Sequence, residues 1–264
     1  MKTRKKRKHI FMILFALLFL YLPIIVVIIY SFNANASPTA ARFDGFTLQW
    51  YVRVLHNTVM LRALGNSLIL AAASVLTAVV IGTPAGLLIS RYSFKGRGLL
   101  EKLSYLPLML PEIILGISFL TYYSALGVPF GFITMTLAHT TFCIPYVMIL
   151  VGTRMSGFDH SLEEAARDLG AGPFKVFVSV ILPFITLAVL SAALLAFVMS
   201  LDDVVLSFFT SGPRSNTLPL LIYSTLKTRP TPALNAMCSM IITLVMLVLV
   251  LLNRINKIVQ ARSR

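Results

Sequence analysis

Acidic side chains are scarce in this 264-residue chain, with nine Asp and Glu against 23 Lys and Arg. Cysteine is scarcer still, at two, and tryptophan occurs once. Cys143 and Cys238 both fall within apolar runs, where a small thiol packs well, and no disulfide is deducible from them. No metal-ligand spacing is present. No G-x-x-x-x-G-K-[ST] phosphate loop occurs either. Gly170-Ala171-Gly172-Pro173 lacks the lysine and places a proline where donor N–H groups are needed. H-E-x-x-H is absent, and no Ser/His/Asp set assembles. The chain is therefore read as a non-enzyme, with no catalytic residue and no metal or cofactor of its own.

What the chain has in excess is apolar surface. It is 58% hydrophobic and 12% charged, with a mean hydropathy of +0.87, against roughly 25% charged for a soluble domain. That composition predicts an all-α, polytopic membrane protein. Six segments reach the roughly 20 apolar residues needed to cross a hydrocarbon core: 10–30, 64–89, 103–123, 132–151, 181–201 and 234–252. The first is too long for a signal peptide, and Ala34-Asn35-Ala36 is its only candidate cleavage site, so it is read as a retained span. The expected organisation is a basic N-terminus (1–9), a six-helix transmembrane body (10–252) and a basic tail (253–264).

Charge sets the expected orientation. With both ends in the cytoplasm, 17 of the 23 Lys and Arg lie inside and six outside (Arg42, Arg53, Arg62, Arg214, Lys227 and Arg229). The net charge of +14 is then a topology and lipid-surface signal, not a nucleic-acid footprint. Two longer outside loops follow, 31–62 and 202–232. In the first, the aromatics of Gly45-Phe46-Thr47-Leu48-Gln49-Trp50-Tyr51 suit an interface anchor and an external partner equally. The second reads as a re-entrant or surface helix with turns. No internal repeat is evident.

A polar insert from Glu164 to Pro183 breaks the apolar pattern and falls in the cytoplasmic loop at about 153–180. Ser161 and Glu164 stand at capping-box spacing. Leu162, Ala165, Ala166 and Leu169 recur at i, i+3, i+4 and i+7, which predicts one small apolar face with Glu163, Arg167 and Asp168 elsewhere. Gly170 suits the left-handed position that closes a helix, and Pro173 the first turn of the next. The expected product is a rigid knob shaped to dock on another protein.

Three acids in or near hydrocarbon are candidate pathway residues, because such groups are costly there and usually functional. Glu112 follows Pro107 and Pro111, which remove backbone donors and predict a kink or opening at membrane depth. Asp202 and Asp203 fall near the outer end of the fifth span, suited to a negatively charged station for a cation. His139, in the fourth span, is read as a packing residue.

The spacing E-A-A-x3-G-x9-V-x-L-P, at Glu164, Ala165, Ala166, Gly170, Val180, Leu182 and Pro183, resembles the signature of permease subunits of ATP-binding-cassette (ABC) importers. The family more often has isoleucine where Val180 stands. The segments Leu162 to Ala171, Ser200-Leu201-Asp202-Asp203-Val204-Val205 and Leu218-Pro219-Leu220-Leu221-Ile222-Tyr223-Ser224 are further similar to the second permease of spermidine/putrescine importers. This resemblance implies a type I importer fold in a bacterial inner membrane, and a heterodimer with a sister permease. It also implies an ATPase dimer that binds ATP and Mg and docks on the Glu164 loop, a substrate-binding protein outside, and a polyamine substrate. Importers of iron, thiamine or an oxyanion remain alternatives within transport. An ion-coupled secondary carrier would leave the Glu164 helix idle, and a membrane scaffold or sensor would carry no solute.

Overall fold

The computed structural model describes residues 2–35, 42–228 and 231–262. Helices account for nearly all regular structure there: α1 (Lys2–Tyr30), α2 (Gln49–His56), α3 (Thr58–Arg91), α4 (Arg97–Met109), α5 (Glu112–Ala125) and α6 (Phe132–Met155) come first. They are followed by α7 (Ser161–Asp168), α8 (Pro173–Val176), a π-helical turn (Phe177–Ile181) and α9 (Leu182–Asp202). The chain ends with α10 (Val205–Thr210), α11 (Leu218–Thr228) and α12 (Pro232–Arg262). Among the described residues no strand forms beyond an isolated antiparallel bridge between Asn33 and Phe46.

The chain divides into two compact units whose boundaries fall inside α3 and α11. One comprises Met1–Leu61 and Ile222–Arg264. Within it α12 packs on α1 and α2. The Trp50 indole donates to the Asn33 carbonyl at 2.7 Å, and the Tyr51 hydroxyl lies 2.6 Å from Ser31 Oγ and 3.2 Å from Ser239 Oγ. Phe32 stacks on Phe46 at 4.8 Å. The aromatic segment thus ties the end of α1 to its own unit, while Phe46 itself stays exposed.

The other unit, Arg62–Leu221, is organised around α6. Gly82 and Gly86 of α3 make the close approach possible. A methyl group at Gly82 would meet Val147 Cβ at 2.8 Å, and one at Gly86 the Met148 carbonyl oxygen at 2.9 Å. Small residues four apart let helices pack backbone to backbone in lipid, where the hydrophobic effect offers no drive. On another side, α9 places Ala192, Ala196 and Ser200 against α6, all buried. The Cys143 thiol reaches the Ala196 carbonyl at 3.6 Å, so this cysteine is a packed, free thiol; Cys238 is also free.

Among the described residues four helical stretches are long and apolar enough to cross a membrane: Met12–Tyr30, Thr58–Arg91, Phe132–Met155 and Pro173–Asp202. The expected third span is not one helix. It is α4 and α5, bent by 105° at Leu110 and Pro111, and counts as a fifth crossing if the pair is a single broken span. The prolines produce the break as anticipated, but the angle exceeds a kink. The expected sixth span lies on α12, whose described apolar part, Pro232–Leu247, is shorter than a full crossing. The side chains of residues 1–11 and 248–264, which include the expected basic terminus and tail, lie outside the described residues, as do Ala36 and Arg229.

Candidate functional site

At the polar insert the structure builds a knob, by means that differ in part from the expected ones. Helix α7 begins at Ser161 with His160 as its N-cap, and no capping box forms. Asp159 takes that role, its Oδ1 accepting the Ser161 N–H at 2.9 Å. A carboxylate is the stronger acceptor and lies two residues upstream, so the helix starts before Ser161 is in a position to cap. The hydrogen bonds from the Ser161 side chain and then its backbone hold the Asp159 carboxyl below its ordinary value. At the other end Gly170 is left-handed, with φ of +82°. Its N–H bonds to the Arg167 carbonyl at 2.8 Å, and the Ala171 N–H to the Ala166 carbonyl at 3.0 Å. These two bonds make a Schellman closure, as Gly170 suggested.

The charge pattern of α7 also differs from the expected one. Glu163 is buried, bridging Arg91 at the end of α3 and Arg167 one turn on, the latter at 2.7 Å. Exposed instead are Leu162 (52%), Leu169 (90%) and, on α8, Phe174 (79%), along with Glu164 and Ala165. Ala166 packs inward against the core. Leu182 and Pro183 are exposed at the start of α9. Pro183 has no N–H for the Ser179 carbonyl, and the wider π turn just before it accommodates the ring.

The three candidate acids are brought together. Glu112 opens α5, where the helix dipole favours an anion, and lies within electrostatic reach of Asp202, Asp203 and His139. Glu112 and Asp202 are exposed. Asp203 is not. Its side chain is 3% exposed, and its oxygens accept the Leu206 N–H at 3.2 Å and the Ser207 N–H at 2.8 Å, capping α10. It therefore stands behind the surface that Asp202 presents, because its lone pairs already serve the backbone. His139 is buried beside it, with both ring nitrogens bonded. Sequence reasoning missed Arg91, Glu163, Ser200 and Ser207. An ionisable residue inside a span is the usual signal; it marks Glu112 and His139 but none of these four.

Residues 78–264 match the family described as binding-protein-dependent transport system inner membrane component. The chain belongs to this family. The permease is 37% identical over 210 residues to the spermidine/putrescine transport system permease protein PotC of Escherichia coli, covering 80% of each chain. It is 38% identical over 218 residues to the putrescine transport system permease protein PotI of the same organism, covering 80% of this chain and 78% of that one. It shares its fold with a chain of a bacterial ABC transporter involved in import of the acidic polysaccharide alginate, at a TM-score of 0.74 and 18% identity over 97% and 96% of the two chains. The permease is thus a helical membrane component with the fold of type I importer permeases.

Proposed function

We propose that the permease is one transmembrane subunit of an ATP-driven polyamine importer, with six spans and both termini in the cytoplasm of a bacterial inner membrane. One observation carries the substrate: Glu112, about ninety positions from the adjacent Asp202 and Asp203, lies within electrostatic reach of that pair in a chain whose relatives are polyamine permeases. A linear polycation needs separated carboxylates that admit it and still release it. Glu112 and Asp202 are such stations on the exposed side, and Asp203 sets the field behind them. The exposed Leu162, Ala165, Leu169 and Phe174 form the face that docks on a partner ATPase, which binds the ATP and Mg. A sister permease completes the pathway, and a binding protein delivers substrate from outside.

A charge pair near a low-dielectric path is worth on the order of 1–4 kcal/mol, according to its hydration. Asp202→Asn keeps the shape and removes the charge, so spermidine and putrescine uptake should fall about tenfold or more if the contact is made during crossing. Glu112→Gln should act similarly, with ATPase assembly unchanged in both. The measurement is initial uptake of labelled polyamine, normalised to membrane protein. Wild-type rates in both variants would sink the assignment of these acids, and absence of polyamine uptake by the intact importer would sink the substrate.

A further inference from the structure

Behind the exposed acids lies a buried polar cluster for which pathway chemistry alone gives no reason. His139 is 1% exposed on α6. Its Nδ1 lies 2.8 Å from Ser200 Oγ on α9, and its Nε2 lies 3.2 Å from Ser207 Oγ on α10 and 3.3 Å from Asp203 Oδ2. A carboxylate only accepts, so Nε2 is the protonated nitrogen facing it. Ser200, Asp203 and Ser207 are themselves buried. Four polar side chains inside a membrane helix bundle are costly singly and tolerable only when they satisfy one another, as here.

The placement of the cluster gives it a role. Every member except His139 belongs to residues 200–207, the stretch where α9 stops at Asp202 and α10 starts at Val205. Asp203 is extended there, with φ of −63° and ψ of 131°, in a segment with neither glycine nor proline to enforce the break. His139 is thus the side-chain anchor that comes to this break from another helix, and its rigid ring spans α9 and α10 at once. Helix α10 in turn packs on α5, where the Phe209 ring lies so close to Gly116 that an added methyl group would sit 2.4 Å from it. The α5 helix begins with Glu112. The position of Asp202 relative to Glu112 therefore depends on how the 200–207 turn is held.

We infer that His139 is a positioning residue for the transport pathway: by bridging Ser200, Ser207 and Asp203 it fixes the α9–α10 break and so sets the spacing of Asp202 and Glu112. The inference rests on the reading of those two acids as cation stations. It adds a group that touches no substrate yet governs how a polyamine of given length fits between them.

The test uses the assembled importer in membranes, with His139→Leu, which keeps bulk without polarity, and His139→Gln, which keeps one donor and one acceptor. In the first arm, Asp202→Cys in a background of Cys143→Ala and Cys238→Ala reports the local geometry through its rate of labelling by a water-soluble maleimide. His139→Leu should change that rate about fivefold or more, consistent with losing hydrogen bonds to a buried carboxylate, and His139→Gln should restore most of it. In the second arm, with Asp202 intact, KM and maximal rate are measured for spermidine and putrescine. His139→Leu should shift KM and alter the spermidine-to-putrescine ratio, whereas a merely structural loss lowers maximal rate and membrane level for both alike. If His139→Leu fails to accumulate, His139→Asn, too short to reach both helices, replaces it in both arms. Unchanged labelling with an unchanged substrate ratio would overturn the inference. If the intact importer carries no polyamine, the substrate reading fails, and the labelling arm still decides whether His139 holds the turn.

Discussion

At Glu163 a carboxylate sits almost out of water between two guanidinium groups, and it joins the α7 knob to α3 through Arg91. Removing one partner of a buried pair costs about 3–5 kcal/mol when the other charge stays buried. Here the Arg91 and Arg167 side chains keep 15% and 59% exposure, so a smaller loss of about 1–3 kcal/mol is expected for Glu163→Gln. The loss should fall on the knob rather than on membrane insertion. Arg91→Gln, Glu163→Gln and the double variant should show it as non-additive losses in ATPase co-purification and in uptake. Strictly additive losses would show that the two residues do not act as a pair. At this scale the sequence is legible where chemistry is local. Gly170 and Pro173 announce their roles because left-handed backbone and a missing donor are properties of the residue itself. Glu163 does not, because its partner Arg91 is 72 positions away and nothing in the local pattern distinguishes it from the exposed Glu164.

The elements of the Arg62–Leu221 unit are defined as much by their interruptions as by their lengths. Helix α4 gives way to α5 at Pro111, the π turn 177–181 precedes Pro183, and α9 stops at Asp202. The first two interruptions have a proline as their local cause and are readable from sequence, though not the size of the bend. The third has neither proline nor glycine: Asp203 caps α10 from within the turn, and the His139 side chain that bonds Ser200, Ser207 and Asp203 is brought there only by the fold. The approach of α3 to α6 was legible in principle from Gly82 and Gly86, a G-x-x-x-G pattern in an apolar run. The α7 closure offers a clean test of backbone conformation. Gly170 has open space around its missing side chain, so substitutions there meet strain and no clash. Forcing an L-residue into the left-handed region costs roughly 1–2 kcal/mol, less for Asn and more for a β-branched side chain. ATPase docking and uptake should therefore fall in the order Gly170→Asn, Gly170→Ala, Gly170→Val, at equal membrane level. Full uptake by a well-expressed Gly170→Val permease would remove the closure from the coupling role.

For the molecule as a whole, the bent pair α4–α5 decides on which side of the membrane the knob stands. If the pair crosses, the turn before α4 and the turn after α6 share a side, because α6 returns the chain. If the pair is re-entrant, Lys95 and His160 lie on opposite sides, and the Glu164 face points away from the ATPase it is proposed to meet. The 105° angle alone is compatible with either arrangement. The charge pattern favours crossing: Arg91, Lys95, Arg97 and Lys102 flank one turn and Arg154, Arg167 and Lys175 the other, while the residues between α5 and α6 carry no charge. Exposure makes the test practical, since Lys95, Leu126 and His160 are all exposed. Each is replaced singly by cysteine in a background of Cys143→Ala and Cys238→Ala, and labelled with a membrane-impermeant maleimide in intact cells and in inverted vesicles. Position 126 should react in intact cells, and positions 95 and 160 only in inverted vesicles. Reaction of 95 and 160 from opposite sides would make α4–α5 a re-entrant hairpin and would take the knob, and the coupling assigned to it, out of reach of ATP in the cytoplasm.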